Sequence, residues 1–587
     1  MNSFLKYTLA TMSGIIILNI IGMITFFIFL GIATATSEKV IVDENSLLVA
    51  KFNKPVIDRA NNNPFSKFSF GGFDMEGTLG LDQVLKDLDK AKRDENISGI
   101  FLRLSAIPAS MATVEEIRDA LLDFKESGKP IIAHADAYTQ KTYYLATAAD
   151  KIYLTPTGDF DFKGLQATVL FFKRALDKYG IDMQVIRHGA FKSAVEPFLS
   201  DEISDANREQ LDVMLSSLWG KMIEEISVAR GIPIKELMSY ANELTIAFDH
   251  QALEKNMIDG LRYYDEVLDE LRDLTETDED DDIPSISLEK YADVPATKEK
   301  KATKNRIAVV YAMGNVVTGE ADEGTIGSDR IAKAIRKARK DDKVKAIVFR
   351  VNSGGGSALA SEIIHREVKL AAEVKPVVAS LGDVAASGGY YIVCPADTIV
   401  ASETTITGSI GVFGLLPNLQ ELMNDKIGIT TGVVKTNKYA DIMSLTRPLT
   451  ADERKIIQSY VDDVYTTFVN HVAEGRSMSY EEVDAIGGGR VWSGLNAREI
   501  GLIDLYGGLE RSVEIAAEMA ELENYRITSL PVLEDPFTLL MKQFTGNAKA
   551  KIIKKELGTS YQLYKKAEEI SQMRGIQAVM PYTLDIH

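Results

Sequence analysis

The sequence repeats itself at long range, and that repeat constrains the architecture more than any other feature. VLKDLDKAKRDENISGIFLRL (84–104) returns as IAKAIRKARKDDKVKAIVFRV (331–351), so that Arg350 follows Arg103 by 247 residues. KPIIAHADAYTQKTYYLATAADKIYL (129–154) returns as KPVVASLGDVAASGGYYIVCPADTIV (375–400), with Lys375 246 residues after Lys129. Arg230 and Arg476 keep the 246-residue spacing, and QALEKNMIDGL (251–261) is answered by NAREIGLIDLY (496–506) at 245. A register held over so long a stretch marks the duplication of a whole domain, since solenoid units repeat every 20–50 residues or so. A chain of 587 residues is also too long for one core.

Inside each copy, short aliphatic runs alternate with helical spacing. SLLVAKFNK (46–54), GIFLRLSA (99–106) and KPIIAHADA (129–137) predict strands, Gly71–Gly80 a loop, and 81–94 a helix. The alternation predicts parallel β-α units and an α/β class. The first repeat is expected over 46–271 and the second over 304–525. Between them, 272–303 carries the run RDLTETDEDDDIPSISLEK, whose charge predicts a solvated linker. Residues 526–587 form a Lys-rich extension with helical apolar spacing at Ile552, Ile553, Leu557, Tyr561 and Tyr564.

From Met12 to Ala35 the chain is uncharged and long enough to cross a bilayer as one helix. Lys6 precedes it, and Glu38, Asp43 and Glu44 follow. The positive-inside rule then puts the N-terminus in the cytoplasm, residues 1–45 serving as anchor, and the repeats outside. Ala33-Thr34-Ala35 leaves a cleaved signal peptide as the rival reading. The net charge of −19 argues against a nucleic-acid partner. Cys394, the single cysteine, forms no intrachain disulfide and is expected buried. No HExxH, CxxC pair or EF-hand loop is present, so neither metal nor other cofactor is implied.

The copies differ where chemistry is expected. RVNSGGGS (350–357) stands where the first copy has RLSAIPAS (103–110), and at a shift of 246 Ser387 falls opposite Lys141. Glycines after a strand let backbone N–H groups approach a ligand, and a serine opening a small-residue helix has an exposed hydroxyl beside an N–H. Neither the P-loop nor the G-x-S-x-G pattern is matched. The two turns suggest acyl transfer, confined to the second copy. The expected oxyanion donors are the N–H of Gly388 and that of Gly355 or Gly356. Ser387 needs a base, and none of the six histidines lies in a motif that points at it. His365 is expected on a helix surface. A lysine made neutral by burial is the other kind of base available.

RVNSGGGS, AASGGYYI and TGSIGVFG (407–414), in this order, resemble the long, duplicated signal peptide peptidase A family. These are serine peptidases with a crotonase/ClpP-type fold. The resemblance implies two tandem crotonase/ClpP-like domains behind one N-terminal transmembrane helix. It implies a membrane-anchored Ser/Lys endopeptidase, periplasmic, that degrades remnant signal peptides and assembles as a homo-oligomer, a tetramer. Ser387 would be the nucleophile. Lys192, in RHGAFKSAVEPF (187–198), matches the segment carrying the general base, and Ser409 the serine that orients the lysine. Lys438, in VKTNKYADI (434–442), holds the equivalent place in the second copy and is the alternative base. A crotonase-like acyl-CoA enzyme and a non-catalytic membrane scaffold are the competing functions.

Overall fold

The computed structural model describes residues 6–8, 11–18, 20–22, 40–60, 77–295, 303–534 and 576–580. In the first copy, strands Ser46–Ala50, Ile97–Leu104, Ile131–Ala135 and Lys151–Leu154 alternate with helices Leu81–Arg93, Met111–Lys125 and Gln140–Ala146. With Gly260–Leu261 at one edge and Ser285–Ser287 at the other, the strands form a six-stranded sheet in which every pair is parallel. Both faces are covered. Leu47, Phe101 and Ile132 pack on Val267 and Leu271 of the helix Tyr264–Thr275. Leu48, Ile100 and Ile131 face the opposite core with Leu85, Leu88, Ile117 and Leu121. Two-sided burial is why these strands are continuous apolar runs rather than alternating ones.

The second copy repeats the plan in the order Val491–Ser493, Ile406–Gly408, Val377–Ala386, Val344–Ser353, Arg306–Met313 and Arg526–Leu530. Its strand Val377–Ala386 changes partner along its length. Val378–Leu381 pairs with Thr398–Ala401, and Val384–Ala386 with Ile406–Gly408. The duplication extends to individual hydrogen bonds. Lys129 Nζ donates to the carbonyls of Ala91 and Asp94, and Lys375 Nζ to those of Ala338 and Asp341. Asp150 and Asp397 accept from the N–H of Ile131 and Val377, and Asp259 and Asp504 from that of Ile152 and Ile399.

The copies share a core. Val309, Val348, Val378 and Val400 of the second sheet, with Leu509 and Val513, join the main apolar cluster of the first copy. Arg350, fully buried, reaches back across this contact to Asp58 (2.5 Å) and Glu116 (2.6 Å). Burial opposes its charge, but the two carboxylates outweigh that and hold the guanidinium pKa above its ordinary value. A third, mixed sheet lies at the junction, in the order Ile326–Gly327, Val316–Val317, Gly355–Ser357, Ile576–Val579, Phe413–Asn418 and Asp182–Arg187.

Several expectations change. The stretch 272–303 is not all linker: Ser285–Ser287 adds a strand to the first sheet, and buried Tyr291 donates to Asp94 at 2.8 Å. The second sheet passes residue 525, because Arg526–Leu530 pairs with Arg306–Met313. Of the expected anchor Met12–Ala35, residues 19 and 23–35 lie outside the described residues, as do Ile552, Ile553, Leu557, Tyr561 and Tyr564. The described part of 6–22 is helical with Ile15, Ile16 and Ile17 exposed, and no described helix is long and apolar enough to cross a membrane. Cys394 is buried, as expected.

Candidate active site

Ser387 sits between the strand Val377–Ala386 and the helix Gly388–Val393, at φ 56°. A non-glycine residue there is strained and must be held by its surroundings. Its N–H donates to the Gly408 carbonyl at 2.8 Å, and a Cβ on Gly389 would lie 2.4 Å from the Ser353 carbonyl oxygen. This is the strand–turn–helix geometry of a nucleophile elbow without the elbow's sequence pattern.

The partner arrives from the other copy. Strand Asp182–Arg187 leaves the first repeat and pairs antiparallel with Phe413–Asn418. Lys192 follows, just before the 3-10 turn Ser193–Val195. Its chain passes so close to Gly489 that a Cβ there would lie 2.6 Å from Lys192 Cα. The glycine run 487–489 was visible in the sequence as a signal of close approach, but its partner is nearly 300 residues upstream, so spacing could not name it.

Lys192 Nζ lies 2.7 Å from Ser387 Oγ, 3.0 Å from Ser409 Oγ and 3.0 Å from the Ser409 carbonyl. Lys192, Ser387 and Ser409 are all 0% exposed. Burial holds the lysine pKa well below its ordinary value, with no charged neighbour contributing. A neutral amine has two N–H donors and one lone pair. The Ser409 hydroxyl donates to the Gly489 carbonyl at 3.3 Å, which leaves its oxygen to accept from Lys192. With both N–H groups on Ser409, the lone pair is left for Ser387, whose hydroxyl has the Gly411 carbonyl at 3.4 Å as its other acceptor. The arrangement suits proton abstraction from a hydroxyl.

Lys438 is elsewhere. It is exposed and paired with Asp452 at 2.9 Å, and its hydrogen bonds to Tyr439 and Asp452 raise its pKa. The first copy also departs from a fixed shift of 246. Tyr143 and Tyr390 each donate from equivalent helices to a backbone carbonyl, those of Met257 and Leu502. That register is 247, so Gln140 rather than Lys141 stands opposite Ser387. His365 is buried rather than on the surface, because the helix Ala451–Arg476 covers it and its ring stacks on His471 at 3.9 Å.

Of the two glycines expected beside Gly388, Gly355 is turned away: its N–H donates to Ser353 Oγ at 3.1 Å. Its φ of 101° explains the glycine instead. Gly356 faces the site. Strand Ile576–Val579 lies antiparallel between Gly355–Ser357 and Phe413–Gly414. The Met580 N–H donates to the Gly354 carbonyl, so the alternation of an antiparallel ladder makes Gly356 and Ala578 the next hydrogen-bonded pair. A Cβ on Gly388 would lie 3.0 Å from Gly356 N and 3.1 Å from the Ala578 carbonyl oxygen. Two N–H groups and a peptide carbonyl therefore converge beside Ser387.

Comparison with known proteins agrees with this chemistry. Protease 4 of Salmonella typhi is 36% identical over 480 residues, 80% of this chain and 77% of that protein. The chloroplastic serine protease SPPA of Arabidopsis thaliana is 33% identical over 508 residues, 86% and 74% respectively. Protease 4 of Haemophilus influenzae is 35% identical over 450 residues, 74% and 72%. A solved ClpP1 mutant from Listeria monocytogenes, 15% identical, matches 35% of this chain and 94% of its own at a TM-score of 0.23, too low to establish a common fold. Peptidase family S49 is matched twice, over residues 123–278 and 369–523, once in each copy. The duplicated chain with its buried serine thus belongs to peptidase family S49 and is a serine protease.

Proposed function

We propose that the chain is a membrane-anchored endopeptidase working through a Ser387/Lys192 dyad on remnant signal peptides outside the cytoplasmic membrane. The observation that carries the dyad is the buried 2.7 Å contact between Lys192 Nζ and Ser387 Oγ, with the lone pair left free by Ser409. Neutral Lys192 takes the Ser387 proton as Oγ bonds to the peptide carbonyl carbon. The oxygen becomes an oxyanion held by the N–H groups of Gly388 and Gly356. As the C–N bond breaks, Lys192 gives the proton to the leaving amine. A water then yields a proton to Lys192 and its oxygen to the acyl carbon, and Ser387 Oγ leaves with that proton.

The strand Ile576–Val579 supports an extended peptide as substrate, bound by strand addition. A substrate in that lane would place its scissile carbonyl where Ala578 lies. Ala578 is 0% exposed, which favours a small side chain at that position. Val579 packs beside Val195, Phe413 and Leu415, which favours apolar neighbours. Small and apolar residues are the composition of signal peptides. The uncharged stretch Met12–Ala35 supports the anchor, with the repeats on the periplasmic side.

The repeat also supports a ring-shaped homo-oligomer, a tetramer. The pairing of Asp182–Arg187 with Phe413–Asn418 joins the copies within one chain. Its repeat equivalents, 428–433 and 167–172, belong to no strand among the described residues, and Ile429, Val433 and Leu170 there are exposed. Pairing 428–433 of one subunit with 167–172 of the next would repeat the joint around a ring.

Hydrolysis of a peptide with alanine before the scissile bond, by wild type and Lys192→Ala, tests the reading. Loss of cleavage with folding intact is expected; near-normal cleavage by the variant would refute the dyad.

A further inference from the structure

Away from the reaction centre, three side chains of the second copy converge on another point. Glu362 and His365 stand one turn apart on the helix Ala358–Ala372 and so share a face. His471 comes from the helix Ala451–Arg476. One ligand atom from each lies within 4.8 Å of the other two. His471 Nε2 and Glu362 Oε2 are already 2.9 Å apart. His365 is 3% exposed and stacked on His471, yet among the described residues neither of its ring nitrogens has a hydrogen-bond partner. No hydrogen bond therefore competes with a ligand at His365.

The surroundings suit a cation. Tyr391 donates its hydroxyl to Glu362 Oε2, and the nearby Lys369 is neutralised by Glu474. Glu362 and His471 are both partly exposed, which opens a path from solvent. No sequence spacing could have revealed the set, because His471 lies on a helix far downstream of the other two.

We propose that Glu362, His365 and His471 form a three-ligand site for a divalent transition-metal ion of the zinc class, with water completing a tetrahedron. Two histidines and one carboxylate are an established donor set for such ions. Bonds of about 2.0–2.1 Å bring tetrahedral ligand atoms to about 3.3 Å apart, so the rings turn out of their stack on binding. Tyr391 belongs to the helix that Ser387 opens, so occupancy bears on the far side of the nucleophile's own element.

The test uses the full chain in detergent, freed of metal with a chelator. It is titrated with Zn²⁺ by calorimetry and with Co²⁺ by visible absorption. One ion per chain is expected, with the strong absorption of tetrahedral cobalt, and the bands should vanish in His471→Ala and weaken at least tenfold in affinity in Glu362→Gln. Both substitutions are at partly exposed positions, and circular dichroism checks that the variants fold. Absence of binding at a large excess of either ion overturns the proposal. So does binding that survives the double variant.

Discussion

Asp150 and Asp397 hold the same corner of their respective sheets, and Asp259 and Asp504 hold the next. Between those corners the two copies part. One opens its helix with Thr139 as an N-cap that accepts from the Thr142 N–H; the other opens it with Ser387 at φ 56°. The two arginines at the repeated strand diverge in the same way. Arg103 is exposed over the Tyr264 ring, whereas Arg350 is fully buried between two carboxylates of the other copy. The groups that tie strands to turns are kept in both copies, while caps, glycines and one arginine set apart the copy that carries Ser387.

The largest effect should come from the pair of lysines at equivalent positions. Lys192→Ala is expected to lower peptide hydrolysis about 10⁴- to 10⁶-fold, the range spanned by removing single members of a serine protease's catalytic set. Lys438→Ala, at an exposed ion pair remote from Ser387, should leave kcat/KM within about twofold, since solvent screens surface pairs. A steep loss in the Lys438 variant instead would mean that the second copy supplies its own base.

The arginines give the next contrast. Arg350→Met strands Asp58 and Glu116 in the interior and should destabilise the chain by about 3–5 kcal/mol. Arg103→Met gives up only a ring contact, worth about 0.5–1 kcal/mol. Denaturant unfolding of the two variants compares them directly, and equal losses would show that the buried set does not join the copies. Ser409→Ala comes third. It removes one hydrogen bond to the lysine, about 1–1.5 kcal/mol, so a loss of about tenfold in kcat is expected in single-turnover assays.

How far these contrasts were legible beforehand depends on whether the interaction is local. The main strands and helices of the first copy followed from apolar period, and the place of the candidate site in the second copy from glycines that one copy has and the other lacks. Ser285–Ser287 was hidden because a three-residue edge strand carries little pattern beside an acidic run. The crossing of Asp182–Arg187 to Phe413–Asn418 was hidden because an antiparallel ladder between distant segments leaves no periodic trace. Gly355 and Gly356 look alike in a row of three, and only backbone direction tells which N–H faces Ser387. The offset between Gln140 and Lys141 arises from one residue more in the second copy between Val377 and Ser387, where the strand's register shifts, which a single shift value overlooks.

The smallest effect runs against intuition and separates the copies by stability rather than rate. Lys192 is buried with a depressed pKa, whereas in the unfolded chain it carries its proton up to the ordinary value of 10.5. Folding at neutral pH therefore releases a proton, and between the depressed value and 10.5 wild-type stability rises with pH. Lys192→Met keeps the apolar stem and removes the titration. This variant should be inactive yet unfold at a higher temperature than wild type at pH 7, with the difference shrinking as pH approaches 10. The activity of wild type should follow the same group in the same direction, kcat/KM rising with pH as the lysine loses its proton. Lys438→Met, which titrates on the surface, should show neither trend. Thermal scans of both variants at several pH values make the comparison. A stability gain for Lys192→Met that did not vary with pH would mean that the buried lysine is held protonated, and the assignment of Lys192 as a neutral base would then fail.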